Sequence, residues 1–301
     1  MPSWTALDRN GGSAISQPRT FNRRLFLRSC GLSLLGAALG GCGSGKGGPP
    51  SAGFGFAALN DLHFRDEADV VYFEALAAKL GADPEVEFVT ISGDLTENGS
   101  SAQLLTIKSL LDGIGKPWYA VPGNHDNLTQ QTTWDTVLGV RNVAFEHDGW
   151  TFLGFDSTRG GQVTRVEVTD EVLQWLATQI AELPSDRPIV AFTHFPLAAS
   201  VPGCLANADE VFALFSGHDL RHILSGHFHA QTSGTHGSVG LTTCTCLSPW
   251  KANHDATTQK GYLKCRSRDR GLGYRFTPFQ PLLRTQKQAQ VRAPRRSAVL
   301  G

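Results

Sequence analysis

The chain has 301 residues, 41% hydrophobic and 18% charged, which is an ordinary globular composition with room for one large domain. Its formal net charge of zero is unevenly spread: setting aside five Arg and one Asp in residues 1–41 and five basic residues in 281–301 leaves 17 basic and 26 acidic side chains, net −9, in between. An acidic body argues against a nucleic-acid polymer bound along its face, which needs excess positive charge, and stays compatible with a small phosphate ester held at a metal.

In chain order, residues 1–41 read as an export signal and not as fold. Asn22, Arg23, Arg24, Leu25, Phe26, Leu27, Arg28 resembles a twin-arginine signal, with Asn22 ahead of the pair and Arg28 at the usual Lys position. The apolar stretch from Cys30 to Leu39 is much too short to span a bilayer. Leu39, Gly40, Gly41, Cys42 then resembles a bacterial lipobox, which implies a lipidated Cys42 at the mature N-terminus. Residues 42–52, rich in Gly, Ser and Pro, make a flexible tether. The twin-arginine route carries folded proteins, so the resemblance implies a periplasmic or extracytoplasmic, lipid-anchored protein that takes up its metal before export.

The folded domain is expected over 53–280. A strand from Phe54 to Leu59 leads into a loop with Asp61 and His63, and the spacing of Val70, Phe73, Leu76, Ala77 and Leu80 predicts a helix over 68–80 that Gly81 ends. Phe88 to Ser92, a turn with Gly93 and Asp94, and a helix from Ala102 to about Ile114 repeat the pattern. Two successive βα units give a parallel core. Trp118 to Val121 runs into the turn Pro122, Gly123, Asn124, His125, Asp126. Val143 to Glu146 and Trp150 to Phe155 flank Asp148 and Gly149 as a hairpin, where the sheet becomes mixed. Thr169 caps a helix over 170–183. The Ile189 strand delivers His194, a short helix spans about 208–215, and the Ile223 strand delivers Gly226, His227, Phe228, His229. Val239 to Thr245, Gly261 to Cys265 and Leu272 to Phe276 read as a closing antiparallel sheet, and the basic tail, 281–301, is expected to be disordered.

Each polar cluster sits just past a short apolar run, and loops at the carboxyl ends of strands are where open α/β sheets place ligands. Together they offer Asp61, His63, Asp94, Asn124, His194, His227 and His229, seven oxygen or nitrogen donors and no thiolate. That number exceeds one closed four-ligand site and suits two adjacent cations, with Mn, Fe, Zn or Co favoured by the donor types. Residues x and x+2 of an extended segment point to one side, so Asp61 with His63, and His227 with His229, each present a pair. Glycines 93, 123 and 226 let the backbone turn beside them.

Asp-x-His, Gly-Asp, Gly-Asn-His-Asp, His and Gly-His-x-His in this order resembles the calcineurin-like metallophosphoesterase superfamily, over Asp61 to His229 with no ligand position missing. The resemblance implies a four-layer α/β/β/α sandwich of two mixed sheets with two divalent or trivalent ions at one edge. It assigns Asp61, His63 and His229 to one ion, Asn124, His194 and His227 to the other, and Asp94 as the bridge. It further implies attack on phosphorus by a hydroxide shared between the ions, with His125 protonating or stabilising the leaving oxygen. The orienting carboxylate for His125 is either Asp126 or Glu97. The compact domain, with Asn98 and Gly99 after the second block, looks most like bacterial cyclic nucleotide and glycerophosphodiester phosphodiesterases. The expected function is therefore hydrolysis of small phosphodiesters; the alternatives are a phosphomonoesterase of the acid-phosphatase kind and a non-catalytic metal-binding lipoprotein.

Outside the blocks, Asn253, His254, Asp255 reads as loop, Gln162 to Val168 as a rim loop beside the pocket, and His147, His218, His222 and His236 as core or surface histidines. In an oxidising compartment Cys204, Cys244, Cys246 and Cys265 allow three pairings, and a bond from Cys244 or Cys246 to Cys265 is expected, with a further metal site there as the alternative.

Overall fold

A computed structural model describes residues 53–268 and 271–281. The predicted export signal, the tether up to residue 52 and the tail from 282 lie outside these residues. Two mixed sheets face each other. The first has the order β11-β10-β1-β2-β3, built from β1 (Gly55–Leu59), β2 (Phe88–Ser92), β3 (Trp118–Val121), β10 (Gly261–Arg268) and β11 (Gly271–Pro278). The second has the order β4-β5-β6-β7-β9-β8, from β4 (Val143–His147), β5 (Trp150–Gly154), β6 (Pro188–Thr193), β7 (Asp219–Ser225), β8 (Thr232–His236) and β9 (Val239–Thr243). In each sheet the central strands run parallel, β1–β2–β3 and β5–β6–β7–β9, and the outer strands join by antiparallel pairings.

Three apolar clusters account for four layers. Between the sheets, Phe54, Phe56, Phe88, Phe152, Val190, Phe192 and Leu224 form an aromatic-rich interior. Phe56 stacks on Phe88 at 5.0 Å, and Phe152 stands edge-on to both. Outside the first sheet, Ala57, Leu59, Val89 and Ile91 pack on α1 (Glu67–Ala82), α2 (Ser101–Asp112) and α3 (Gln131–Val137). Outside the second, Leu153, Ile189, Ala191 and Ile223 pack on α4 (Asp170–Ala181) and α5 (Ala208–Leu214). Strands covered on both faces need apolar residues at consecutive positions, which is why β1, β2 and β6 read as continuous runs without alternation. The expected α/β/β/α sandwich is the observed fold.

Local chemistry fixes the ends of these elements. Asp66 and Thr169 accept hydrogen bonds from Ala68 N (2.9 Å) and Val172 N (3.4 Å) to cap α1 and α4. Asp148 and Gly149 both take positive φ in the β4–β5 turn, as a tight hairpin with right-handed twist requires.

Four expectations are corrected. Gly81 does not stop α1, which runs on to Ala82; a side chain there would strike Ile114 O, so this glycine serves close packing. The last three strands do not close one antiparallel sheet: β9 is parallel to β7 in the second sheet, while β10 joins β1 in the first. Helix α3 and strand β8 carry no apolar periodicity and escaped the reading. Finally, Cys204, Cys244, Cys246 and Cys265 are free thiols.

Candidate metal centre

The exits of β1, β2 and β3 from one sheet, and of β6 and β7 from the other, meet at one edge. The first two loops continue the pairing of their strands: Asp61 N donates to Gly93 O (3.1 Å), His63 N to Asp94 O (2.9 Å) and Phe64 N to Leu95 O (3.0 Å). Asp61 (φ 53°), His63 (46°), Asp94 (51°), His227 (65°) and His229 (50°) are all left-handed, five of the eight non-glycine residues with positive φ among those described. The paired donors therefore do not come from extended segments, as their x, x+2 spacing predicts. A left-handed turn at each donor folds both side chains inward, a conformation found in few non-glycine residues and concentrated at functional sites. Gly123 is required for a different reason: a Cβ there would lie 2.1 Å from Asp94 Oδ1.

Seven predicted donors converge. Asp61, His63, Asp94 and His229 offer ligand atoms within 4.8 Å of one another, all buried. His63 Nε2 lies 3.1 Å from His229 Nε2 and 3.5 Å from Asp94 Oδ2, and His229 Nε2 is 3.3 Å from Asp61 Oδ1. On the other side of Asp94, His194 Nε2 is 3.5 Å from Asp94 Oδ2 and 2.9 Å from Asn124 Oδ1, which His227 Nδ1 approaches to 3.1 Å.

Which nitrogen carries the proton follows from the outer partner of each ring. His63 Nδ1 faces Glu97 Oε2 at 2.8 Å, His194 Nδ1 faces Ser92 O at 3.0 Å and His229 Nδ1 faces Ala252 O at 3.4 Å. Protons belong on those Nδ1 atoms, so each Nε2 turns a lone pair inward, toward other lone pairs and carboxylate oxygens. Acceptors facing acceptors at about 3 Å repel unless a cation lies among them. Hence the residues fit a bound metal.

Electrostatics agrees. Burial lowers His63 and His227 to about 3 and His194 to about 4, so these rings are neutral, the form that ligates metal. Burial works to raise the Asp61 carboxyl, and only positive charge beside it, on His229, His194 and His63 or on a cation among them, holds it below the usual range. Asp94 is pushed well above that range by burial and by Asp61 and Asp126 nearby. Two buried carboxylates this close ionise together only with a cation between them.

The catalytic candidates separate clearly. His125 N donates to Asp94 Oδ1 (2.8 Å), and its ring Nδ1 donates to Glu97 O (2.7 Å), leaving Nε2 to face Lys251 Nζ at 3.2 Å. Glu97 Oε2 is 3.4 Å from His125 Nδ1 and 2.8 Å from His63 Nδ1, so this acid orients the rings. Asp126 does not: its carboxylate points away from the His125 ring and accepts from Leu95 N, Thr96 N, Thr96 Oγ1 and Gly123 N at 2.8–3.1 Å. It clamps the loop after β2 to the loop after β3, so that of the two carboxylates expected as partners of the His125 ring only Glu97 stands beside it.

Sequence reasoning passed over Lys251 and Trp250, in the segment between β9 and β10. Lys251 Nζ lies 2.9 Å from Glu97 Oε2 and 3.2 Å from His125 Nε2, while Trp250 Nε1 donates to His63 O (3.2 Å). Nothing in their spacing marks them; the only local signal is the neighbouring Asn253, His254, Asp255. That stretch is loop, as expected, but His254 stacks on His229 at 4.8 Å. His227, Phe228 and His254 also line a cleft of about 360 Å³ whose far wall includes Val163, Thr164 and Arg165, from the predicted rim loop.

Five strand-exit loops of a four-layer sandwich thus bring Asp, Asn and His donors to one edge. Residues 54–231, more than half of the chain, match the family described as calcineurin-like phosphoesterase, and the chain belongs to that family. It is 26% identical over 157 residues to a "3',5'-cyclic-nucleotide phosphodiesterase" of Nostoc, covering 49% of this chain and 58% of that protein. It is 27% identical over 153 residues to a "Probable glycerophosphodiester phosphodiesterase" of Arcobacter nitrofigilis, covering 46% and 55%. The chain thus spans little more than half the length of these relatives. Among solved structures, a purple acid phosphatase from yellow lupin seeds shares the fold, with TM-score 0.56, 12% identity, and coverage of 75% of this chain and 52% of that one.

Proposed function

We propose that this chain is an exported, lipid-anchored enzyme that hydrolyses small phosphodiesters with two metal ions at the edge of the sandwich. The observation that carries the reading is the double nest of inward lone pairs sharing Asp94. Asp61, His63 and His229 would hold one ion, Asn124, His194 and His227 the other, and Asp94 both. Mn, Fe, Zn or Co suits such oxygen and nitrogen donors. When bound, the ions supply Lewis acidity toward phosphoryl oxygens and a nucleophile competent near neutral pH.

The chain's own residues do the rest. Glu97 fixes the tautomer of His63, and Ser92 O that of His194, so the donors need no rearrangement. His125, its Nδ1 tied to Glu97 O, presents Nε2 to the leaving oxygen. The acidic body of the domain disfavours a polymeric nucleic acid, which leaves a small diester as substrate. The relatives named for cyclic nucleotides and glycerophosphodiesters support a diester over a monoester. Export rests on the sequence of residues 1–42; an exported enzyme meets diesters outside the cytoplasm and would scavenge organic phosphate there.

The test is Mn-dependent hydrolysis of bis(p-nitrophenyl) phosphate beside p-nitrophenyl phosphate, with His125→Ala as control. Diester turnover lost in the variant is expected; turnover of the monoester alone moves the assignment to a phosphomonoesterase, and turnover of neither sinks the enzymatic reading. Export is tested separately, by mass spectrometry of the membrane fraction for lipid on Cys42 and by its loss in Cys42→Ala.

A further inference from the structure

Lys251 belongs to no motif, yet the fold builds a loop to deliver it. Trp250 is held by its hydrogen bond to His63 O and lies under the Arg65 guanidinium, 4.2 Å from the ring centroid. Lys251 N donates to Ser248 Oγ (3.3 Å), and the buried Lys260 ammonium donates to Lys251 O and, at 2.9 Å, to Asn253 Oδ1. Held this way, the Lys251 side chain is 22% exposed and its Nζ sits between Glu97 Oε2 (2.9 Å), His125 Nε2 (3.2 Å) and His63 Nδ1 (3.2 Å). Because His125 Nδ1 is committed to Glu97 O, only Nε2 can meet a substrate oxygen. An oxygen within hydrogen-bond reach of Nε2 also comes beside the Lys251 ammonium.

We infer that Lys251 is a further catalytic residue: its ammonium, held beside His125 Nε2, contacts the leaving-group oxygen and stabilises the charge that builds there. The inference rests on the phosphodiesterase reading above and narrows its substrate class to diesters of basic alcohols. In the reaction one water adds to phosphorus and the P–O bond to the leaving group breaks. The electron pair of that bond stays on the departing oxygen, which takes one of the water's two protons and leaves as the alcohol. A departing alkoxide carries most of this charge on oxygen, whereas p-nitrophenolate spreads it over its ring. A fixed cation placed where charge develops therefore helps the first far more than the second.

The experiment compares the full chain loaded with Mn²⁺, its Lys251→Gln variant and its Lys251→Arg variant on methyl phosphodiesters whose leaving groups run from p-nitrophenol through phenol to simple alcohols. Lys251→Gln is expected to lose about 10²-fold in kcat/KM on the most basic leaving groups and about threefold or less on p-nitrophenol. The dependence of rate on leaving-group pKa then steepens, while Lys251→Arg keeps the shallow dependence of the unmodified protein. Mn²⁺ affinity, read by calorimetry, is expected to stay within about twofold, because Lys251 touches only the outer nitrogen of His63. A uniform loss along the series, or a matching fall in Mn²⁺ affinity, makes Lys251 a support for Glu97 and overturns the inference, as does an unchanged slope. Absence of turnover by the unmodified protein overturns the phosphodiesterase reading on which the inference stands.

Discussion

Asp126→Asn tests whether the central turn is held by one buried carboxylate. In the native protein each Asp126 oxygen has two donors: Thr96 N and Thr96 Oγ1 at 2.9 and 2.8 Å on Oδ1, Leu95 N and Gly123 N at 3.1 and 2.9 Å on Oδ2. An asparagine keeps one pair on its oxygen and turns an NH₂ toward the other. Facing Leu95 N and Gly123 N it would orphan two buried amides; facing Thr96 it orphans one, because the hydroxyl can rotate and accept. The second orientation is the cheaper, and one orphaned amide plus the loss of charge-assisted bonds costs about 2–4 kcal/mol. Out of a typical total of about 5–15 kcal/mol this leaves a folded protein, so urea unfolding reads it directly. Adding Thr96→Val removes the rotating hydroxyl, and the double variant should lose more than the two single variants together. An Asp126→Asn protein within about 0.5 kcal/mol of the native stability would refute the clamp.

Other consequences are simpler to state. If the inward lone pairs hold a cation, saturating Mn²⁺ at about a thousand times its Kd should stabilise the protein by about 4 kcal/mol, reversed by a chelator and absent in Asp94→Asn; a melting curve indifferent to metal would count against the site. His222 is buried with Nε2 2.7 Å from Thr242 Oγ1, and burial lowers its pKa to about 4. Its unfolded form takes up a proton near pH 6.5 and its folded form does not, so stability is lost as pH falls from 6.5 toward 4, by about 3 kcal/mol. The fall in unfolding free energy from pH 7 to pH 5 should therefore be about 2 kcal/mol smaller in His222→Gln, the remainder coming from His63, His194 and His227, and an unaltered pH dependence would refute the assignment. With burial raising Cys244 to about 12 and Cys246 to about 11, both thiols should resist alkylation until the domain unfolds, and a reductant should leave the melting temperature unchanged. A melting temperature that drops on reduction would restore the disulfide.

What was legible in the sequence is what repeats or alternates. The buried strands β1, β2, β6 and β7 were found because strands covered on both faces need consecutive apolar residues, and the donors were found because each follows such a strand. Helix α3, with Thr132, Thr133 and Asp135 between its few apolar residues, shows no such signal: it is held by Trp134, a single fully buried side chain. The pairing of β9 with β7 escaped because period and length say nothing of which sheet a strand joins. Lys251 was invisible for a related reason. Its position depends on Trp250 reaching His63 and on Lys260 reaching back to the Lys251 carbonyl, contacts that span up to 187 residues and leave no local pattern. The choice between Asp126 and Glu97 as partner of His125 stays open in the sequence because each lies just past a predicted donor, Asp126 past Asn124 and Glu97 past Asp94; in the fold Asp126 points into the clamp and Glu97 toward the ring.

The left-handed backbone at Asp61, His63, Asp94, His227 and His229 explains why a site so polar can be built on apolar strands. A donor on the strand itself would point into one of the three apolar clusters, where an unpaired carboxylate or imidazole costs several kcal/mol. Moving the donors just beyond the strands avoids that penalty, but an extended exit would carry x and x+2 outward along the strand axis. Turning each donor residue to φ near 50° folds both members of a pair back over the sheet edge, at about 1–2 kcal/mol per residue. The cross-loop bonds from Asp61, His63 and Phe64 to Gly93, Asp94 and Leu95, and from Glu97 N back to Phe64 O, hold the strained turns in register. Asp61 is fixed further by Asn60 Nδ2 at 2.6 Å and by the His227 amide at 3.0 Å, so one donor loop braces another. Strain here is the means by which five of the seven donors, Asp61, His63, Asp94, His227 and His229, turn toward one another, and relaxing it would stabilise the chain at the expense of the centre.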